Sequence, residues 1–235
     1  MKKLLIFITA MFLLCGCVSG QGQSWCGGQT LYFQNNPTTT PAGYEELINY
    51  PSGNTEMDES VSVTASTGPK LIDNYIAPEG SMEDVVGLLQ GLRRYRYYAY
   101  VDSSVGTTQL NFTAFKRFAN GTETNFYTAM SGDIDSLTVA EYDLNYVSQK
   151  NLVITPTDRI GIRVTANTSH SSPITVHWVY QGSLHTSHVE SGYFMCKESL
   201  GNYNYAEQEP ISPLIPMVAV AVSMIAIVVY NRRRE

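Results

Sequence analysis

The chain has 235 residues, 43% hydrophobic and 15% charged, with a formal charge of −6. Its terminal cations hide a more acidic middle: between residues 18 and 210, ten Lys and Arg face twenty Asp and Glu, a balance of −10. That balance excludes nucleic acid and anionic lipid as partners for the middle of the chain.

Lys2 and Lys3 open the sequence, and residues 4–14 run apolar before small residues follow. This pattern predicts a secretory signal peptide over residues 1–20. Two processing routes stay open. Leu14-Cys15-Gly16-Cys17 has the form of a lipobox with Cys17 as the lipidated residue, whereas Val18-Ser19-Gly20 suits an ordinary signal peptidase.

Residues 21–200 are expected to form an ectodomain rich in Tyr, Thr, Ser, Val and Gly, the composition of strands joined by turns. Residues 29–33 make a short β-prone run. In 60–66, Val61, Val63 and Ala65 alternate with Ser60, Ser62, Thr64 and Ser66, a half-buried strand. Residues 71–77 are a further strand, closed by Pro78-Glu79-Gly80. Ser81-Met82-Glu83-Asp84 reads either as one helical turn or as a lead into the next strand.

The aromatic run 93–101 follows, then 107–118, where Leu110, Phe112, Ala114 and Lys116 oppose Asn111, Thr113 and Phe115. Asn120-Gly121 predicts a hairpin turn back into 122–130. Segments 142–147, 152–154, 159–166, 174–180 and 187–194 complete a series of roughly eight to ten strands with no long amphipathic helix. The expected fold is all-β, an antiparallel jelly-roll-like β-sandwich ectodomain with a single C-terminal transmembrane helix. A linker over 201–210 leads to that helix at 211–231, long enough to cross a hydrocarbon core of roughly 30 Å. Arg232, Arg233 and Arg234 then hold a tail over 232–235 in the cytoplasm.

Cys15 falls in the signal and Cys17 is lipidated or removed. This leaves Cys26 and Cys196, which read as a disulfide in an oxidising compartment or as two free buried thiols. Asn111, Asn120 and Asn167 each begin a glycosylation sequon. His170, His177, His185 and His188 give no spacing that converges three ligands, and Asp133 and Asp135 read as a solvated turn, so neither a metal nor any cofactor is expected.

Arg93, Arg94, Tyr95, Arg96, Tyr97, Tyr98 and Tyr100 form the densest aromatic and basic cluster. Such side chains stack on sugar rings or anchor protein interfaces, although strand alternation must turn half of them into the core. The chain carries no nucleophile elbow, zinc-protease helix, phosphate loop or dinucleotide fingerprint, so no catalytic residue is assigned and an enzyme is not expected.

Three segments carry a resemblance: Gly121-Thr122-Glu123-Thr124, the run from Pro156 to Val164, and the run from Trp178 to Val189. Together they resemble the jelly-roll heads of phage tail and receptor-binding proteins and of related prokaryotic surface proteins, over residues 29–194. The resemblance implies a sandwich that presents loops for binding and assembles as a homotrimer. No functional residue carries over from it.

The expected function is a membrane-anchored cell-surface module for binding, adhesion or envelope assembly, with its N-terminal domain outside and its C-terminus cytoplasmic. Its partners are the membrane and a glycan or protein ligand. The alternatives are a carbohydrate-binding or carbohydrate-cleaving surface protein, and a viral spike or virion membrane protein.

Overall fold

The computed structural model describes residues 25–197, which form thirteen strands. In chain order these are β1 (Gly27–Pro37), β2 (Glu45–Ile48), β3 (Met57–Val63), β4 (Lys70–Ile76), β5 (Val85–Leu88), β6 (Gly91–Val101) and β7 (Thr108–Arg117). There follow β8 (Glu123–Met130), β9 (Ala140–Ser148), β10 (Leu152–Val153), β11 (Arg159–Thr168), β12 (Ile174–Tyr180) and β13 (His188–Cys196). The segments expected as a signal peptide (1–20, with Cys17), a linker (201–210), a transmembrane helix (211–231) and a cytoplasmic tail (232–235) lie outside the described residues. Among the described residues, no helix is long and apolar enough to cross a membrane.

The strands join in the order β3-β12-β6-β13-β1-β2-β4-β11-β7-β8, with β9 on the free side of β6 and β5 bridging β13 and β10. Two layers face each other. One contains β9, β6, β12 and β3, the other β4, β11, β7 and β8, and aromatic rings meet between them. Tyr97 on β6 lies 5.1 Å from Phe112 on β7, and Phe112 lies 5.7 Å from Trp178 on β12. Trp178 Nε1 donates to the Tyr75 hydroxyl on β4 at 3.0 Å, so the largest core ring leaves no polar atom unbonded. A buried ring of this kind contributes roughly 4–6 kcal/mol of gross transfer energy, at about 25 cal/mol per Å² over 150–250 Å².

Several expectations need correction. The sandwich is all-β, yet it is not wholly antiparallel: Glu45 and Glu46 of β2 pair in parallel with Tyr75 and Ile76 of β4. Strands β2 and β5 are too short, at four residues each, to show a period, and both escape the sequence pattern. The strand expected at 60–66 begins and ends three residues earlier, because the Thr67 amide closes a turn on the Thr64 carbonyl at 3.1 Å. Residues 81–84 form no helical segment. Successive turns, including Glu83 N to Gly80 O at 3.1 Å and Val85 N to Met82 O at 3.1 Å, deliver the chain into β5.

The alternation expected in 107–118 holds from Thr108 to Ala114 and then breaks. A register shift between β7 and β8 at Ala114/Phe115 accompanies a second consecutive buried side chain, Phe115. Gly161 on β11 makes room for it: a Cβ there would sit 2.2 Å from Phe115 Cζ and 2.6 Å from the Tyr75 carbonyl. At the start of β1, Cys26 is bonded to Cys196 at the end of β13, with 5.6 Å between Cα atoms across 170 residues of sequence. Loop closure on that scale restricts the unfolded chain far more than the folded one.

Candidate functional site

Strand β6 runs through the middle of its layer, flanked by β9 on one side and by β12 and β13 on the other. Its period of two divides the predicted cluster into two sets with different chemistry. Arg93, Tyr95 and Tyr97 point inward and are essentially inaccessible, so they cannot meet a ligand; this corrects their assignment as binding candidates. Tyr95 shares a 2.8 Å hydroxyl contact with Tyr127 of β8. Burial pushes the Tyr97 hydroxyl up to about 12 and the Tyr95 hydroxyl well above the usual range.

Arg93 is 1% exposed and has no carboxylate within ion-pair distance among the described residues. Its guanidinium donates to the Leu92 carbonyl at 3.2 Å and to the Leu89 carbonyl, while Nε has no partner. Burial lowers its pKa, opposed by the neighbouring Tyr127 and Tyr95. The guanidinium fits only because residue 192 is glycine: a Cβ on Gly192 would fall 1.7 Å from one of its terminal nitrogens.

The outward set is Arg94, Arg96, Tyr98 and Tyr100, all half-buried. Strand pairing supplies each with a carboxylate. Arg94 meets Asp143 of β9 at 3.2 Å, and Arg96 meets Asp143 and Glu141 at 3.4 Å each. The Tyr98 hydroxyl donates to Glu141 at 2.5 Å, and the Tyr100 hydroxyl to Asp58 of β3 at 2.7 Å.

Histidines complete the face. The Tyr100 and His177 rings stack at 4.0 Å and 11°, with His177 Nδ1 2.9 Å from Asp58. His185 lies 4.9 Å from the Tyr98 ring and 2.6 Å from Glu56, and His188 packs 5.4 Å from Tyr32 of β1. Three of the four histidines therefore sit against tyrosines on one sheet face. Sequence reasoning isolated the tyrosines and arginines but missed Asp58, Glu141, Asp143, His177 and His185. The clustering of all four histidines between residues 170 and 188 was the available signal.

Exposed ion pairs of this kind add little stability, but they hold rings and guanidinium groups in defined orientations. Partial burial alone would raise Asp143; hydrogen bonds from Arg94 and Arg96 outweigh it and keep its carboxyl below the usual range. The Tyr100 hydroxyl is pushed up to about 12, first by its bond to the Asp58 carboxylate and then by burial. For Tyr98, also about 12, burial leads and Glu141 follows.

A second acidic group faces inward. Glu45, Asp73 and Glu59 occupy the strand sides that also carry Leu47, Tyr75 and Val63, and the Tyr180 hydroxyl donates to Glu59 at 2.7 Å. Burial first, then the Asp73, Glu59 and Glu46 charges, push Glu45 up to about 7. Asp73 also reaches about 7: burial leads, the Asn74 amide opposes it and Glu59 adds to it. Among the described residues, no three His, Cys, Asp or Glu side chains come together as a metal site. Asp133 instead accepts the Thr108 amide at 2.7 Å, and so ties its loop to β7.

The sequons differ in setting. Asn120 is exposed at the β7–β8 turn, where its side chain accepts the Thr122 amide at 3.0 Å. Asn111 and Asn167 are half-buried on adjacent strands, and the Asn111 amide donates to Asn167 at 3.1 Å. That bond ties the Asn111 side-chain nitrogen, the atom a glycan would join, to the neighbouring strand, whereas Asn167 takes part through its oxygen.

No protein-family model and no curated protein sequence matches the chain. Among solved structures, an aminopeptidase from a marine sediment archaeon, Thaumarchaeota archaeon, is similar over 72% of this chain and 37% of its own, with 9% identity and a TM-score of 0.53. A CocE/NonD family hydrolase from Staphylococcus aureus is similar over 74% of this chain and 38% of its own, with 6% identity and a TM-score of 0.48. A structure of infectious bursal disease virus, Gt strain, is similar over 93% of this chain and 54% of its own, with 10% identity and a TM-score of 0.30. The chain thus spans a little over a third of the two enzymes. The likeness to the aminopeptidase, at 9% identity, is one of fold alone: a β-sandwich shared with part of a longer chain.

Proposed function

We propose that this chain is a membrane-anchored surface module whose β-sandwich, in a jelly-roll-like arrangement, binds a glycan or protein ligand through the outward face of β6. In this reading residues 1–20 direct export, residues 211–231 hold the chain in the bilayer, and no catalytic step is involved. The observation that carries the proposal is the division of β6. Its outward half offers Arg94, Arg96, Tyr98 and Tyr100, with His177 and His185 beside them, on a broad sheet surface. Tyrosine and arginine supply large contact area with polar tips, the combination enriched where proteins bind. The disulfide at the domain's ends supports an oxidising compartment.

Two measurements test this reading. Protease added to intact cells should cut the domain away; a fully protected domain facing the cytosol overturns the topology. On glycan and surface-protein arrays, a ligand captured by the full-length protein should be lost when Tyr98→Ala and Tyr100→Ala are combined. Capture unchanged by that double substitution overturns the β6 face as the site.

A further inference from the structure

A cleft of about 490 Å³ opens among four connections of the sandwich: the β1–β2 loop, the 78–84 turns, the β7–β8 hairpin tip and the turn before β11. Pro41, Arg117, Phe118, Thr157 and Arg159 line it, with Glu79 and Glu83 also at its wall. Its volume lies within the roughly 300–1,000 Å³ range of small-molecule sites. Two of its walls are the segments around Gly121 and Pro156, which the sequence singled out and which the β6 face does not use.

The cleft wall carries two arginines, Arg117 and Arg159, beside three carboxylates, Glu79, Glu83 and Asp158. Arg117 and Arg159 stand directly opposite each other on β7 and β11, a like-charge pairing that disfavours the sheet. Arg117 reaches Glu123 at 3.2 Å, but Arg163 draws on the same carboxylate at 2.8 Å. Asp158, at the cleft wall, is already held by Lys116 at 3.2 Å and accepts the Thr155 amide at 2.8 Å. Arg159 makes no ion pair among the described residues. Its Nε donates to the Ala77 carbonyl at 2.6 Å and its Nη1 to the Thr40 carbonyl. Two backbone carbonyls thus fix the guanidinium plane; Glu79 and Glu46 act on its charge from beyond ion-pair distance, and the second terminal nitrogen keeps its donors.

We infer that this cleft binds an acidic saccharide unit. Its carboxylate would lie on the Arg159 guanidinium with Arg117 adjacent, and its ring would rest against Phe118 and Pro41. A carboxylate placed there relieves the repulsion between the two arginines and meets a pre-oriented fork, the arrangement that makes such pairs strong. An aromatic ring and a proline give a sugar's C–H face an apolar floor, and the exposed Thr157 adds a hydroxyl within the same wall. This site is separate from the β6 face, and either can fail without the other.

The test is titration of the detergent-solubilised full-length protein with glucuronate, with glucose as the neutral analogue and inorganic sulfate as the bare anion. Saturable glucuronate binding is expected, weakened about tenfold or more in Arg159→Gln, as loss of a charge-assisted fork implies. Because Arg159 also tethers two loops, Thr157→Trp is measured beside it; it should fill the cleft and block binding while leaving the fold intact. Tyr98→Ala with Tyr100→Ala should leave the titration unchanged. Equal binding of glucose, or glucuronate binding that survives both Arg159→Gln and Thr157→Trp, overturns the proposal. So does sulfate competing as well as glucuronate in a protein indifferent to Phe118→Ala, which would mark a bare anion site.

Discussion

The inner and outer sides of β6 are built from the same residue types and behave as different materials. Inside, Tyr95, Tyr97 and Arg93 are closed off from water, and only hydroxyls and backbone carbonyls answer their polar atoms. Outside, Tyr98, Tyr100, Arg94 and Arg96 each find a carboxylate. Composition cannot separate these roles; position along a strand of period two can. A buried tyrosine is valuable for its area and its single satisfied hydroxyl, whereas an exposed one serves through the ring edge it shows to solvent.

That contrast can be broken from either side. The largest effect should come from Trp178→Ala in the inner layer, which removes the ring touching Phe33, Tyr97, Phe112 and Tyr180. A loss of about 3–5 kcal/mol in urea unfolding is expected. Replacing both Cys26 and Cys196 with alanine should cost about 2–4 kcal/mol, read as the difference between oxidised wild type and variant. Gly192→Ala drives a methyl group into the Arg93 guanidinium at a φ of +79°, so about 1–3 kcal/mol should be lost. If Gly192→Ala were neutral, the inward placement of Arg93 would be wrong.

The inner carboxylates allow a sharper comparison. Glu45 and Asp73 keep their protons up to about 7 in the folded chain. Unfolded, they release them near pH 4, as ordinary carboxyls do. The folded state therefore binds more protons between those values, so their contribution is complete below about pH 4 and is lost as pH rises through about 7. The melting temperature should fall by a few degrees across that window, and Asp73→Asn should flatten the slope. A slope unchanged in Asp73→Asn would place that carboxyl in water. The smallest effect belongs outside: Tyr98→Ala and Tyr100→Ala should each cost about 1 kcal/mol or less in stability, since cross-strand pairs on an exposed face contribute little more.

Much of the fold was legible because local periodicity reports burial. The β-prone and alternating segments placed β6, β7, β9, β11 and β12 to within two residues at each end, and Asn120-Gly121 placed the turn between β7 and β8. Strands β2 and β5 were not legible, since four residues held by neighbours carry no period of their own. Phe115 defeated the pattern for another reason: the register shift at Ala114 lets a second consecutive side chain be buried, and the space it needs is granted by Gly161 on another strand.

The candidate site was half legible. Arg94, Arg96, Tyr98 and Tyr100 could be named with their neighbours, but which half of the cluster faced out depended on which side of the sheet met the second layer. Their partners Asp58 and Glu141 lie about forty residues away on either side in sequence. By itself, the sequence determined the β character, the candidate cysteine pair, the hairpin turn and the acidic balance, because each depends on composition or on neighbours within a few residues. Only the tertiary structure decided the layer order, the parallel contact of β2 with β4 and the opposition of Arg117 to Arg159. Each of these rests on registers between distant strands, which local periodicity does not encode.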